Sequence, residues 1–123
     1  MQCVFCTMDK EQVVARNNLA YAVRDTSAVT ALHTLILPNG TLPIISNSSR
    51  AKRRAIDDLL QETRREILER DPAVVGFNIG VNIADVAGQT IFHCHVHLIP
   101  RRPGDVANPR GEVRGVIPGK ADY

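Results

Sequence analysis

Three of the chain's four histidines fall within five consecutive positions, at His93, His95 and His97. The residues that alternate with them are apolar, which is typical of a β-strand whose successive side chains point to opposite faces. We therefore predict a strand from Thr90 to Ile99 with all three imidazoles on one face. Aligned imidazoles suit two kinds of chemistry, because they can bind a transition metal or act on a phosphate.

Phosphate chemistry would use the middle histidine as its nucleophile. A neutral imidazole nitrogen can attack phosphorus and form a phosphoimidazole, which divides one displacement by water into two easier steps. His95 is the natural candidate, because it alone has a histidine on each side. His93 and His97 could then donate hydrogen bonds to the non-bridging oxygens. The second ring nitrogen of His95 needs an acceptor to hold it, and a backbone carbonyl would serve.

The metal alternative fits the spacing less well. Three histidines can bind Zn²⁺ and leave one position open for water. On a straight strand, however, the first and third histidines lie roughly 13 Å apart. That separation is too large for both to reach one ion through bonds of ~2 Å. The spacing favours phosphate chemistry, although two adjacent histidines with a distant ligand could still hold a metal.

Size and composition exclude several classes of protein. A chain of 123 residues predicts a single domain spanning 1–123. A net charge of +2 and an aromatic content of 4% argue against a nucleic-acid partner. No apolar run is long enough for a membrane span. The first residues lack the features of a signal peptide, and three cysteines do not suggest a disulfide framework, so we expect a cytoplasmic protein without a membrane partner.

The predicted elements are strands, one long helix and further strands, without regular β–α alternation. This order indicates an α+β fold with a mainly antiparallel sheet of about five strands. A short N-terminal helix is predicted over 8–15 and the long helix over 49–70. The other predicted strands cover 19–24, 32–37 and 74–81. The tail, 101–123, is rich in Arg, Gly and Pro and is expected to be mostly irregular.

The stretch from His93 to Ile99 resembles the signature of the histidine triad (HIT) superfamily of nucleotide hydrolases and transferases. The lead-in Gly88-Gln89-Thr90 strengthens the resemblance. The paired strands of this chain, its long helix and the hairpin that bears the histidines extend the resemblance over roughly four-fifths of the chain. The resemblance implies a HIT-like fold and a homodimer whose sheets join edge to edge. It also suggests that the tail helps to form the substrate pocket or a subunit contact.

The resemblance also implies roles for individual residues. His95 would attack the α-phosphorus and form a nucleotidyl-histidine, from which water releases a mononucleotide. His97 would contact the α-phosphate, and His93 would support the orientation of His95. The implied nucleotide-binding positions are Asp25 at the ribose, Asn82 and Thr90 at the phosphate or leaving group, and Gly88 and Gln89 in the lead-in.

His97 stands where the transferase branch carries glutamine, so the resemblance points to a hydrolase of dinucleoside polyphosphates or nucleoside phosphoramidates. One alternative is a purine-nucleotide binding or scaffold protein with weak or vestigial catalysis. Another is a small metalloprotein, because Cys3 and Cys6 have zinc-binding spacing. Similar proteins complete a zinc site with a histidine after the proline that ends the second strand. No histidine follows Pro38 here, so we expect no bound metal. The expected ligand is the nucleotide substrate, without another cofactor.

Overall fold

A computed structural model describes residues 12–40, 49–91 and 93–121 of the chain. Its regular elements confirm the predicted α+β class, with a sheet of five strands and one long helix within the described residues. The elements are β1 (Val13–Arg16), β2 (Ala20–Arg24), β3 (Thr34–Pro38), α1 (Arg50–Arg70), β4 (Gly76–Val81) and β5 (Val96–Arg101). Short 3₁₀ turns cover Asp85–Ala87 and Glu112–Val116. No helix among these residues is long and apolar enough to cross a membrane.

All neighbouring strands of the sheet are antiparallel, in the order β1-β2-β3-β5-β4. The histidine-bearing strand β5 therefore lies between β3 and β4. His97 is opposite Leu35 on β3 and Gly80 on β4. Because backbone ladders hold β5 on both sides, the position of His97 is fixed by the sheet.

Helix α1 covers one face of the sheet. Its apolar residues recur at three- and four-residue intervals, which gives the helix a single stripe to bury. The buried members are Ala55, Ile56, Leu59, Leu60 and Ile67. They form one cluster with Ile36, Val96 and Leu98 of the sheet. Since neighbouring residues on a strand face opposite ways, His97 lies on the sheet face away from the helix.

The start of α1 was predicted within one residue. The Ser49 hydroxyl accepts a hydrogen bond from the backbone N–H of Lys52 at 3.1 Å, which is an N-cap contact. The helix ends at Arg70, and the N–H of Asp71 still bonds the carbonyl of Ile67 at 2.9 Å. Pro72 follows, and its ring disfavours helical backbone geometry at the preceding residue, Asp71.

The predicted N-terminal helix extends too far, because its residues 13–15 belong to a strand. Val13–Arg16 is the edge strand β1, which pairs with β2 through contacts such as Arg16 with Tyr21. The β-branched pair Val13 and Val14 favours a strand once an adjacent strand offers a ladder. Residues 8–11 of the predicted helix lie outside the described residues.

The predicted histidine strand is also too long at its start and too short at its end. Strand β5 covers Val96–Arg101, so His93 and His95 precede it. The last pair that β5 forms with β4 is Val96 with Val81, after which β4 leaves the sheet. The ladder with β3 also ends at Val96, so residues 93–95 lie outside the strand and follow an irregular path.

Candidate active site

The backbone fixes the ring of His95. Its Nδ1–H donates to the carbonyl of His93 at 2.8 Å, and this is the kind of acceptor that the sequence predicted. A carbonyl oxygen can only accept, so the Nδ1 atom carries the proton. In a neutral imidazole the lone pair then lies on Nε2. His95 therefore presents Nε2 as a potential nucleophile.

His93 precedes β5 and is buried, whereas His95 and His97 are partly exposed, so one strand does not present the three rings equally. Its ring is 1% exposed, and its Nε2–H donates to the carbonyl of Pro38 at 3.0 Å. The ring also meets Tyr21 edge to face, with centroids 6.4 Å apart. Burial lowers the pKa of His93, although the bond to Pro38 partly opposes that effect. This buried ring anchors the irregular segment to the end of β3, and its own carbonyl holds His95.

A second chain of hydrogen bonds fixes His97. The backbone N–H of Val29 donates to Nδ1 of His33 at 3.2 Å, which leaves the His33 proton on Nε2. That nitrogen lies 3.0 Å from Nδ1 of His97 and donates to it. His97 consequently carries its own proton on Nε2. The ring centroids of His95 and His97 are 5.3 Å apart, so the site places an imidazole lone pair beside an imidazole donor.

Burial favours the neutral state of both histidines in that chain. Desolvation lowers the pKa of His33 and of His97 from the ordinary value of 6.5. Nearby His95 lowers the pKa of His97 further, whereas the carboxylate of Asp25 opposes the shift at both rings. Neutral rings at pH 7 can each donate one hydrogen bond and accept one, as the chain of bonds requires.

Asp25 lies beside this pair. Its Oδ2 atom is 3.5 Å from Nε2 of His33, and its Oδ1 accepts the backbone N–H of Ser27 at 2.8 Å. Asp25, His33 and His97 could hold a metal ion, because one ligand atom from each lies within 4.8 Å of the others. An ion would have to replace the hydrogen bond between the two histidines. Cys3 and Cys6, the alternative zinc ligands, lie outside the described residues.

Sequence reasoning missed His33 as a site residue. His33 is only 2% exposed and immediately precedes the central strand β3. A signal was available, because it is an ionisable side chain within an apolar stretch. Buried polar groups require hydrogen-bond partners, and the other three histidines of the chain were candidates.

The side chain of Gln89 holds the lead-in loop through hydrogen bonds to the backbone. Gln89 is 3% exposed, its Oε1 accepts from the N–H of Ala84 at 2.8 Å, and its Nε2 donates to the carbonyl of Ile91 at 3.3 Å. Gly88 adopts a φ of +93°, a left-handed conformation that favours glycine. Thr90 is exposed at the end of this loop. Gln89 and Gly88 thus shape the loop that presents Thr90.

An open cavity of about 580 Å³ lies over β4 and β5 on the histidine side of the sheet. His33 and His97 line it together with Asn82, so the structure brings these three residues together. Asp25, His95 and the lead-in loop are not among its lining residues. The tail contributes the remaining wall through Asp105, Val106, Glu112, Val113 and Val116.

Arg101 holds the tail against the sheet. Its guanidinium donates to both carboxylate oxygens of Asp105, at 2.8 and 2.9 Å, and to Oδ1 of Asn78 at 2.6 Å. A longer contact of 3.5 Å reaches Glu112. The neighbouring Arg102 donates to Asp71 at 2.8 Å, which ties the tail to the end of α1.

The sheet with one covering helix and paired imidazoles on its open face defines the HIT class of fold. A solved HIT family protein from Bacillus anthracis is similar over 82% of this chain and 74% of its own, with 32% identity and a TM-score of 0.75. The family model named HIT domain matches residues 7–104, and the chain belongs to this family.

Two curated relatives carry names that describe an activity. The purine nucleoside phosphoramidase of Escherichia coli K12 is 28% identical over 91 residues, which are 74% of this chain and 76% of that protein. The asymmetrical bis(5′-nucleosyl)-tetraphosphatase of Schizosaccharomyces pombe is 29% identical over 96 residues, which cover 76% of this chain and 51% of that protein. By their names, both of these relatives act on nucleotide derivatives.

Proposed function

We propose that this protein is a nucleotide hydrolase that releases a mononucleotide from nucleoside 5′-phosphate derivatives through a covalent nucleotidyl-His95 intermediate. The observation that carries the proposal is the 2.8 Å hydrogen bond from Nδ1 of His95 to the carbonyl of His93, which places the lone pair of the neutral ring on Nε2. The activities named for the two family relatives support the same class of reaction. The candidate substrates are dinucleoside polyphosphates and nucleoside phosphoramidates.

The first step forms a bond between Nε2 of His95 and the α-phosphorus and breaks the bond to the leaving group. The leaving group takes the electron pair of that bond. His95 then carries both the phosphoryl group and its Nδ1 proton, and is therefore cationic. The His93 carbonyl points its negative end at that charge, which stabilises the intermediate. Nε2–H of His97 donates to a non-bridging oxygen of the same phosphate.

Water completes the reaction in the second step. Its oxygen attacks the phosphorus, the bond to Nε2 breaks, and the imidazole regains its lone pair. The mononucleotide leaves, and the proton lost by the water passes to solvent. Splitting the displacement in this way lowers each barrier relative to direct attack by water.

The remaining residues of the proposal bind the nucleotide. The carboxylate of Asp25 accepts hydrogen bonds from the ribose hydroxyls, since an ionised carboxylate has two acceptor oxygens. Asn82 and Thr90, both exposed, contact the phosphate or the leaving group. Gly88 and Gln89 complete the nucleotide-binding set by shaping the loop that ends at Thr90.

The proposal also includes a cytoplasmic homodimer. Strand β4 is an edge of the described sheet, and Ile79 on it is 47% exposed. An edge strand with exposed apolar residues is suited to pairing with a second copy. Light scattering of the purified protein should give the mass of two chains, and a monomeric mass at micromolar concentration would contradict this part of the proposal.

The function is tested with a panel of adenosine and guanosine phosphoramidates and dinucleoside polyphosphates, assayed for mononucleotide release. We expect turnover of at least one compound and its loss in His95→Ala, with the circular dichroism spectrum unchanged. Turnover retained in His95→Ala would contradict the proposed mechanism. Equilibrium binding of AMP without turnover of any compound would instead support a purine-nucleotide binding or scaffold protein.

A further inference from the structure

We infer that Asp105 and Glu112 of the tail select the leaving group by charge, favouring amines over polyphosphates. The inference rests on the proposed function and narrows its substrate class to nucleoside phosphoramidates with an apolar amine. Its basis is the position, charge and polarity of the cavity that the tail helps to line.

The cavity lies where the leaving group would go. Asp25, the proposed ribose ligand, follows β2, whereas the cavity covers β5 and β4 on the other side of His33 and His97. A phosphate at His97 with its ribose at Asp25 therefore directs its other substituent across the sheet towards β4. That substituent is the leaving group, and it meets the side of the cavity that the tail forms. This wall consists of Arg101, Asp105, Val106, Glu112, Val113 and Val116.

The wall has an excess of negative charge. Among the described lining residues, Arg101 is the one cationic side chain other than histidine. It faces two carboxylates, Asp105 and Glu112. One positive and two negative charges give a net charge of −1. The hydrogen bonds from Arg101 lower the pKa of Asp105 strongly and keep it ionised. Arg101 is already bonded to Asp105, Asn78 and Glu112, which leaves it poorly placed to neutralise a further anion.

A polyphosphate leaving group would bring several negative charges into this wall. Proteins bind such groups with Lys, Arg or metal ions that offset the lost hydration. The described lining of this cavity contains no lysine. Close approach of like charges weakens binding instead, so the wall disfavours the polyphosphate.

An amine with an apolar substituent meets a favourable surface. The cavity is lined by exposed apolar side chains, including Val29, Val113 and Val116, whose exposed fractions run from 67% to 78%. When the P–N bond breaks, the amine nitrogen takes the electron pair and receives one proton from water, which gives the neutral amine. A second proton from solvent gives the ammonium ion, which is attracted to the carboxylates of Asp105 and Glu112.

The test compares two ligands that share an adenosine 5′-phosphate and differ in the leaving group. The probes are an adenosine 5′-phosphoramidate of an aliphatic amine and diadenosine tetraphosphate, measured by calorimetry without divalent cations. His95→Ala provides the background, so that neither ligand is consumed. We expect the phosphoramidate to bind about tenfold more tightly, and Glu112→Lys to shift the ratio of the two dissociation constants about tenfold towards the polyphosphate.

Glu69→Lys is the matched control, because it changes the net charge equally on the exposed side of α1. It should leave the ratio within about twofold of the background. Glu112→Gln, which removes the charge without adding a cation, should give an intermediate shift. The inference is overturned if Glu112→Lys moves the ratio no further than Glu69→Lys does, or if the background protein binds the polyphosphate more tightly.

The binding ratio and turnover separate this inference from the proposed function. A charge-dependent ratio with no turnover by the protein that retains His95 would contradict the hydrolase proposal and support the selection by the wall. Turnover with a ratio unaffected by Glu112→Lys would support the hydrolase and reject the selection.

Discussion

The chemistry proposed for this site depends on which nitrogen of each imidazole carries the proton. Main-chain groups fix that choice twice, because the carbonyl of His93 bonds Nδ1 of His95 and the N–H of Val29 bonds Nδ1 of His33. A carbonyl accepts and an N–H donates, so the two rings hold opposite tautomers. The lone pair of His95 and the donor of His97 both follow from these backbone contacts.

His33 should act as a positioning residue. His33→Ala removes the donor to Nδ1 of His97, which frees the His97 ring to rotate. We expect kcat to fall about tenfold or more, with a smaller change in KM, because misplaced donors chiefly weaken transition-state stabilisation. Steady-state kinetics on the best substrate of the panel measures both constants.

His33→Gln provides the control for that prediction, since its amide can still donate towards His97. It should recover part of the lost kcat. Equal loss in both variants, or a change confined to thermal stability, would indicate that His33 has only a structural role.

At the level of elements, the sequence predicted the helix well and the histidine strand poorly. The cap Ser49, the regular apolar spacing and Pro72 are all local signals, and α1 follows them. The length of β5 is not a local property, because it depends on where β4 stops pairing, at Val81. The apolar alternation continues through His93, but the ladders with β3 and β4 both end at Val96.

The same distinction applies to the site. His95 and His97 could be identified from the motif, whereas the bond between His33 and His97 spans 64 residues and depends on the register of two strands. Burial of the His93 ring depends on the carbonyl of Pro38, which lies 55 residues away. Contacts of this kind cannot be inferred from spacing along one strand.

Helix α1 contains one buried polar atom that costs stability. The Oγ1 atom of Thr63 is buried and has no hydrogen-bond partner among the residues that the structure describes, and the residue is 2% exposed. Thr63→Val replaces the hydroxyl by a methyl group of similar size. We expect the free energy of unfolding to rise by about 1 kcal/mol, as measured by urea denaturation.

Thr63→Ser is the control for that substitution, because it keeps the hydroxyl and removes the methyl group. It should lower the free energy of unfolding by about 1 kcal/mol. If Thr63→Val is less stable than the original protein, then the hydroxyl is satisfied in solution and the account of this position is wrong.

At the scale of the whole molecule, the two faces of the sheet have different tasks. The face under α1 carries the larger apolar cluster, and the opposite face carries the histidines. The site nevertheless buries ionisable rings, since His33 and His93 are 2% and 1% exposed. Folding is therefore coupled to the protonation of the site.

That coupling predicts how stability depends on pH. Burial lowers the pKa values of His33, His93 and His97 below their unfolded value of 6.5. Below that pH the unfolded chain binds more protons than the folded protein does. The free energy of unfolding should therefore be highest above about pH 6.5 and fall as the pH drops through the lowered values.

Denaturant titrations at about pH 7.5 and 5.5 test this dependence, because the carboxylates titrate mainly below that range. Unfolding energies that are equal at the two pH values, or higher at the lower one, would contradict the burial of neutral histidines.

If His95 carries the nucleotide covalently, intact-protein mass spectrometry after rapid mixing with an adenosine phosphoramidate and denaturing quench should detect the adduct. We expect a transient increase in mass by one adenylyl group, located on His95 by peptide fragmentation and absent from His95→Ala. Mononucleotide release without any adduct at early times, or an adduct on another residue, would contradict the covalent mechanism.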